Sequence, residues 1–206
     1  MRKWLYTLLV LILSGGNFAW AQAADQKDPQ QIIKDAITHT LAMLEERREE
    51  FAADPATLRP LVREDLLPLL DLEYSARLIL GKAGRGISPE QLAAFAEAMS
   101  NVLVNRYSDG LLRFRSDKQV DVLPAKGKNT DKLTRVRTRI KLENGGFAPV
   151  DYAFHKTDQG WKAFDVTVEG ISYVITFRNQ ISPQVRSAGI DQVTADIAAG
   201  NLKINE

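Results

Sequence analysis

Three segments in the second half of the chain alternate apolar and polar side chains with a period of two. LTRVRTRIKL (133–142) is followed by FAPVDYAFH (147–155) and then by WKAFDVTVEG (161–170), and both junctions, Asn144-Gly145-Gly146 and Asp158-Gln159-Gly160, end in glycine. Such alternation is typical of half-buried strands, and a three-residue loop ending in glycine is typical of a hairpin. The sequence therefore predicts an antiparallel sheet with one apolar face.

The two loops also predict which residues are paired. If each loop has three residues, the cross-strand pairs are Ile140 with Val150, Thr138 with Tyr152, Val136 with Phe154, Phe154 with Phe164, Tyr152 with Val166 and Val150 with Val168. A slip of one residue would turn every apolar side chain to the wrong face. Both hairpins give the same continuous apolar face, so we expect this register.

The reverse face of the predicted sheet is polar. Arg135, Arg137 and Arg139 alternate along the first strand, and the expected register sets Arg139 opposite Asp151. This face is expected to be solvated or to contact a partner. QVDVLP (119–124) is expected to add another strand.

Helices able to cover the apolar face precede the sheet, within 25–115. One begins at Asp28-Pro29, a suitable N-cap and first helical position, and another begins at Ser88-Pro89-Glu90-Gln91, which resembles a capping box. Between them, EYSARLILG ends at Gly81, and 81–86 is expected to be a loop. The sequence therefore predicts an α+β domain with helices packed over one face of a small twisted antiparallel sheet.

The last 36 residues of the chain, 171–206, are less definite. The five β-branched residues in 171–181 favour a strand, while Ile171, Val174, Ile175 and Arg178 also fall at helical spacing. A final helix is expected near 191–198, ended by Gly200.

The amino terminus is typical of a cleaved signal peptide. Arg2 and Lys3 precede an apolar run of ten residues, 4–13, and then two A-x-A patterns, and we expect cleavage after Ala23. The run is shorter than the roughly 20 residues needed to span a bilayer. We therefore expect residues 1–23 to be removed and 24–206 to form one exported domain without stable membrane insertion.

Composition limits the classes of partner. Without residues 1–23 the formal charges change from 27 basic and 26 acidic residues to 25 and 26, so no global basic field attracts nucleic acid. The chain has no cysteine, which fits a bacterial periplasm and excludes disulfides and thiol chemistry. Neither His39 nor His155 has a metal-ligand partner at a recognisable spacing. No catalytic or metal residue is predicted.

Two motifs carry a resemblance to a known family. The first consists of Trp161, Lys162, Phe164-Asp165-Val166, Glu169-Gly170-Ile171-Ser172 and Arg178; the second is EYSARLILG followed by SPEQLAAF. In these residues and their order, the chain resembles the MlaC family of periplasmic phospholipid-binding proteins, also known as toluene-tolerance auxiliary components. Family members often carry a tryptophan after the second motif's Leu-Gly, where this chain has Ala83-Gly84-Arg85-Gly86.

The resemblance implies a non-enzymatic carrier with an NTF2-like shape, periplasmic, with phospholipid as cargo and no cofactor. Such a carrier would move lipid between an outer-membrane lipoprotein complex and an inner-membrane ABC transporter containing an MCE-domain protein, and so maintain outer-membrane lipid asymmetry. The resemblance also favours a helix over 171–181.

Under this interpretation acyl chains lie between the sheet and the helices. The expected cavity wall comprises Phe95, Met99, Val136, Ile140, Val150, Tyr152, Phe154, Phe164, Val166, Val168, Ile171, Val174 and Phe177. Arg135, Arg137 and Arg139 are the expected docking surface for partners.

Two alternatives stay open at this point. An enzyme of the same cone-shaped class would use Asp165 or His155 on a small hydrophobic substrate, although strand parity places both on the face away from the cavity. A periplasmic interaction module would have a solid core and use the arginine-bearing face. Cavity walls and packed cores share one sequence pattern, so periodicity alone does not separate them.

Overall fold

The computed structural model describes residues 27–113, 119–125, 129–142 and 144–201. The predicted signal peptide, 1–23, lies outside the described residues. The α-helices are α1 (Pro29–Glu46), α2 (Arg48–Ala53), α3 (Leu58–Leu61), α4 (Leu72–Leu80), α5 (Pro89–Tyr107), α6 (Tyr173–Ala188) and α7 (Ile190–Ala198). The strands are β1 (Val120–Val122), β2 (Leu133–Lys141), β3 (Phe147–Thr157), β4 (Gly160–Val168) and β5 (Ile171–Ser172).

The two long N-terminal helices begin where their capping residues predict. The Asp28 carboxylate accepts hydrogen bonds from the backbone N–H groups of Gln30 and Gln31 at the start of α1. At α5, Ser88 Oγ accepts from the Gln91 N–H and the Gln91 side chain accepts from the Ser88 N–H, at 3.2 and 3.0 Å. The predicted capping box is thus confirmed.

Between α2 and α4 the chain forms a series of short turns. A 3₁₀ turn (Pro55–Thr57) and α3 lead into a π-helical turn (Val62–Leu66) and a second 3₁₀ turn (Leu67–Leu69). Pro68 has no N–H to donate, and Leu70 is already extended, with φ −100° and ψ 146°. This irregular segment therefore presents several leucines inward.

The C-terminal helices follow the prediction closely. The ambiguous segment 171–181 is a two-residue strand, β5, followed by α6, and Ser172 Oγ caps α6 by accepting from the Ile175 N–H at 3.1 Å. The segment 81–84, expected to be loop, is a 3₁₀ turn that ends α4 at Gly81, where φ is +54°. Glycine adopts this conformation without strain.

The strands form one antiparallel sheet in the order β1-β2-β3-β4-β5. The predicted register of the first hairpin is wrong by two residues: Thr138 pairs with Val150, Val136 with Tyr152, and Ile140 with Ala148. Leu142 N–H donates to Gly146 O at 2.9 Å, so the loop closes one residue earlier than expected. A shift of two keeps every side chain on its predicted face, and Val136, Thr138, Val150 and Phe154 are buried.

The second hairpin contains a β-bulge. Tyr152 pairs with Val166 and Val150 with Val168, as predicted, but Phe154 pairs with Ala163 and not with Phe164. Thr157 pairs with Gly160, so the turn has two residues, and Phe164 is the additional residue on β4 that restores the register. The bulge changes the direction of side chains along β4.

The helices pack in two groups against the sheet. Helix α1 contacts β1 and β2, and its Ile33 packs with Val136, Phe154 and Ala163. Helices α4 and α6 contact β4, and together with α5 and α7 they form a separate apolar core around Phe95, Phe177 and Ile181. The predicted α+β class, with helices over an antiparallel sheet, is confirmed.

Candidate functional site

Two apolar cavities lie between the helices and the sheet. The larger, here called the helical chamber, has a volume of about 380 Å³ and is enclosed by α4, α5, α6, the segment 62–70 and residues 164–166 of β4. Its walls include Ile79, Met99 and Phe177. It therefore occupies the space between the helical core and the edge of the sheet.

The smaller cavity, here called the sheet chamber, has a volume of about 230 Å³ and lies between α1 and the apolar face of the sheet. Helix α1 contributes the apolar stripe Ile33, Ile37, Leu41 and Leu44, and the sheet contributes Ile140, Tyr152, Phe154 and Ala163. Both chambers are lined mainly by aliphatic and aromatic side chains, which is the lining that an apolar ligand requires.

The two chambers meet at a wall made of four side chains. Leu66, Leu70, Leu111 and Val166 line both cavities. The segment that carries Leu70 is fixed to β4 beside the bulge, because the Asp71 N–H donates to Ala163 O at 2.8 Å. We call these four residues the shared wall.

The β4 bulge lets one strand line both chambers. Ala163 faces the sheet chamber, while Phe164 faces the helical chamber and packs edge-on against Tyr74 and His155, with ring centroids 5.2 and 5.5 Å apart. Val166, two residues later, lies between the chambers. Without the additional residue, Ala163 and Phe164 would alternate strictly between opposite faces.

Polar side chains in the helical chamber are already hydrogen-bonded within the protein. Ser75 Oγ lies 2.7 and 2.8 Å from the carbonyl oxygens of Asp71 and Phe164 and shares its single proton between them. The hydroxyls of Ser100 and Ser108 donate to helical carbonyls one turn earlier. A buried polar group penalises an apolar ligand chiefly when the group is unsatisfied. These hydroxyls therefore place little penalty on an apolar ligand.

Asp165 is among the residues that border the helical chamber, where β4 comes close to the start of α6. Its pairing with Ala153 follows the predicted register, because the bulge at Phe164 lies before it, so strand parity still assigns Asp165 and Thr167 to the same face. Its carboxylate accepts from Ser172 Oγ at 2.6 Å and from the Val174 N–H at 3.1 Å. Asp165 thus stabilises the N-terminus of α6 as an anion should, and both carboxylate oxygens are engaged.

Tyr152 is the main polar residue of the sheet chamber. Its hydroxyl hydrogen-bonds to the Thr138 side chain, and Thr138 Oγ1 donates in turn to Val150 O at 2.9 Å. Burial raises the pKa of the Tyr152 hydroxyl above its ordinary value, although the contact with Thr138 opposes this. The phenol is therefore neutral, and the chamber wall is uncharged there.

His155, the other residue considered for catalysis, belongs to a packed cluster. Its Nε2 lies 2.9 Å from Asp71 Oδ2, and its ring stacks on Tyr74 at 4.3 Å. Asp71 also caps α4 through the Tyr74 N–H. Among the described residues no group of three or more histidine, aspartate or glutamate side chains has the proximity needed to hold a metal ion.

The structure distributes the predicted wall residues unevenly. The helical chamber is lined by Met99, Phe164, Val166, Val174 and Phe177. The sheet chamber is lined by Ile140, Tyr152, Phe154 and Val166. Phe95, Val136 and Val150 are buried without lining either chamber, Val168 is half-buried, and Ile171 is 65% exposed at the start of β5.

Sequence reasoning did not assign the segment 62–70 or α1 to the cavities. The segment LVREDLLPLL contributes Val62, Leu66, Leu67 and Leu70, and its repeated leucines around Pro68 were the available signal. The apolar stripe of α1 was visible as a helical face, but nothing in its spacing separates a cavity wall from a packed core.

The predicted docking arginines lie on the opposite face of the sheet and are occupied within it. Arg137, and not Arg139, is opposite Asp151 in the register. Arg135 lies 3.4 Å from Asp151, Arg139 Nε lies 2.7 Å from Asp121, and Arg137 donates to Pro124 O. Each guanidinium therefore has an intramolecular partner.

No helix in the described part of the chain has the length and apolarity to cross a bilayer.

Comparison with known proteins gives a consistent set of relatives. The chain is 24% identical over 177 residues to the intermembrane phospholipid transport system binding protein MlaC of Haemophilus influenzae, covering 84% of this chain and 80% of that protein. It is 27% identical over 176 residues to the toluene tolerance protein ttg2D of Pseudomonas putida, covering 84% and 81%.

A solved structure shows the same fold. The phospholipid-binding protein from Ralstonia solanacearum, determined in complex with a phospholipid, superposes with a TM-score of 0.72 at 22% identity, covering 84% of this chain and 99% of that one.

The family model described as MlaC protein matches residues 34–199, a span that holds most of α1, all of α6 and every residue that lines the two chambers except Ile33. The chain therefore belongs to the MlaC family.

Proposed function

We propose that this protein is a periplasmic phospholipid carrier that holds one acyl chain in the helical chamber and one in the sheet chamber. The observation that carries the proposal is the pair of apolar cavities in contact through the shared wall of Leu66, Leu70, Leu111 and Val166. A phospholipid has two apolar chains joined at one end. Two cavities that meet along a wall fit that shape better than one round pocket does.

The energetics support a carrier that travels through water. Each buried methylene contributes about 0.8 kcal/mol, so a dozen methylenes contribute on the order of 10 kcal/mol. The neutral Tyr152 phenol and the engaged Asp165 carboxylate leave no free charge that would oppose this burial. The proposal includes no catalytic step and no cofactor.

The amino-terminal end of α6 is a suitable entrance for acyl chains to the helical chamber. Tyr173 and Val174 line the helical chamber, and their neighbours Ile171 and Ile175 are 65% and 55% exposed. Exposed apolar side chains beside a cavity suit the passage of acyl chains in and out. The Val174 N–H donates to Asp165 and the Ile175 N–H to Ser172 Oγ, so these two N–H groups are already engaged, which argues against a phosphate bound by this helix end.

The name of the Haemophilus relative, a binding protein of an intermembrane phospholipid transport system, supports placing the chain between two membranes. We propose an outer-membrane lipoprotein complex and an inner-membrane MCE-containing ABC transporter as its partners. The predicted signal peptide agrees with export to the periplasm. Sequencing the amino terminus of the periplasmic protein tests the location, and Ala24 is the expected first residue.

The carrier proposal is tested by purifying the protein from a bacterial periplasm without detergent, followed by native mass spectrometry, organic extraction and lipid analysis. A mass increment of one phospholipid per chain is expected. A protein that is free of lipid and does not load from liposomes would contradict the proposal. Loss of the increment on organic extraction, with recovery of the same mass as diacyl phospholipid, identifies the ligand.

A further inference from the structure

A cationic groove lies on the outer side of α4 and α6. It has a volume of about 590 Å³ and is lined by five basic residues, Arg77, Lys82, Arg85, Arg178 and Arg186, with no acidic residue among its lining. The whole sequence is nearly balanced, with 27 basic and 26 acidic residues. Five cations around one concavity are therefore a local concentration of charge.

The groove is separate from both lipid chambers. Helix α4 turns Ala76 and Ile79 toward the helical chamber and Arg77 and Leu78 toward the groove. Helix α6 does the same with Phe177 and Arg178. The two helices form the partition, so charge in the groove does not face the acyl chains.

Most of these cations are not neutralised within the protein. Lys82 and Arg85 are exposed and have no ion-pair partner among the described residues, and the nearest carboxylate to Arg77 is that of Glu73, at 3.8 Å and well exposed. Arg186 donates to Ser182 Oγ at 2.9 Å, a neutral acceptor. This contrasts with the arginines on the sheet face, which have carboxylate or carbonyl partners.

Arg178 is the fixed member of the set. Its Nε donates to Leu78 O, which orients the guanidinium within the groove. An oriented guanidinium is suited to binding a carboxylate with two parallel hydrogen bonds.

We propose that the groove is a docking site for an acidic segment of a protein partner. A membrane surface is less suitable because the groove is concave and none of its lining residues is an exposed large apolar side chain, whereas peripheral membrane sites combine basic and apolar groups. A small anion is less suitable because four of the five cations are exposed side chains spread over α4, the turn that follows it and α6: Arg77, Lys82, Arg85 and Arg186. These suit an extended chain of carboxylates.

The test uses the mature protein and a fluorescein-labelled octaglutamate peptide, with binding followed by fluorescence anisotropy. Lys82→Glu/Arg85→Glu should weaken binding roughly tenfold, since attraction becomes repulsion at two exposed positions. The matched control is Lys34→Glu/Lys156→Glu, which makes the same change in net charge at exposed positions on α1 and β3. The control should keep the affinity of the unmodified protein, and binding should weaken as the ionic strength rises.

Three results would overturn the proposal: no saturable binding of the peptide, equal weakening in both double variants, or displacement of the peptide by inorganic phosphate at equal concentration. Binding of phosphatidylglycerol-containing vesicles that depends on Lys82 and Arg85, without peptide binding, would also overturn it in favour of a membrane site. The lipid extracted from Lys82→Glu/Arg85→Glu should be unchanged. The groove and the lipid chambers are thus tested separately.

Discussion

Val166→Glu is expected to weaken lipid binding roughly a hundredfold while leaving the fold intact. Val166 is half-buried, belongs to the shared wall and pairs with Tyr152 in the sheet. In the unloaded protein, water in the empty chambers hydrates the new carboxylate, so the variant loses only the valine contacts, about 1–2 kcal/mol. With acyl chains on both sides that water is excluded, and an unpaired carboxylate costs several kcal/mol more.

A penalty of about 3 kcal/mol on the loaded state corresponds to roughly a hundredfold loss of affinity. The assay is the phospholipid-to-protein ratio after purification without detergent, with circular dichroism and thermal unfolding as checks of the fold. Thr167→Glu is the matched control, because it places the same group one residue later in β4, on the arginine-bearing face opposite Asp151. The control should keep its lipid.

The pH dependence gives a second check on the same variant. Exclusion of water raises the pKa of the new carboxyl in the loaded state, so loading is favoured below the ordinary glutamate pKa of about 4.3 and is lost as the pH rises through the raised value. Lipid occupancy of Val166→Glu should recover on acidification, and Val166→Gln should show no such recovery. A folded Val166→Glu protein with unchanged lipid content at neutral pH would refute the shared wall.

Three further substitutions test other parts of the structure. Ala36→Trp should fill much of the sheet chamber of about 230 Å³ and shift the extracted lipid from diacyl to single-chain species. Lys34→Trp, at an exposed position on the same helix, should leave the lipid unchanged. An unchanged diacyl content in Ala36→Trp would contradict the two-chamber assignment. Asp165→Ala should lower the free energy of unfolding in urea by about 1–3 kcal/mol, because it removes the acceptor for Ser172 and Val174. Asp158→Ala, in the exposed β3–β4 turn, should have little effect. Equal losses of stability in the two variants would argue against the capping role. In the unmodified protein the pKa of Tyr152 is higher when the chain is folded, so the contribution of its neutral form to the free energy of unfolding is fully present below pH 10, the ordinary pKa of tyrosine, and is progressively lost as the pH rises above it. Tyr152→Phe should reduce this loss of stability, measured by urea unfolding at alkaline pH. An identical pH profile in the two proteins would refute the assignment.

The faces of the strands could be predicted from the sequence, but the pairing of the first hairpin could not. Alternation of apolar and polar residues determines which face of each strand is buried, and a register shift of two residues leaves that face unchanged. The loop contains Gly145 and Gly146 in succession, and either can take the left-handed position of a tight turn. Gly145 does so, with φ +83°, and this moves the loop by one residue and the register by two.

The bulge had a signal in the sequence that the simple alternation overlooks. In WKAFDVTV, apolar residues fall at 161 and 163 and then at 164, 166 and 168, so the period breaks between Ala163 and Phe164. That break lies at the residue that the structure inserts into β4. The chambers themselves had no such signal, because an apolar side chain that faces a cavity is chosen by the same physical preference as one that faces a core.

The shared wall has a consequence for the range of lipids that the protein tolerates. Because the chambers meet at the side chains Leu66, Leu70, Leu111 and Val166, a leucine that changes rotamer gives volume to one chamber and takes it from the other. Such changes cost little free energy and take place in nanoseconds where space permits. We therefore expect tails of unequal length or unsaturation to be accommodated by redistribution of space, so that membranes of varied acyl composition are served by one carrier.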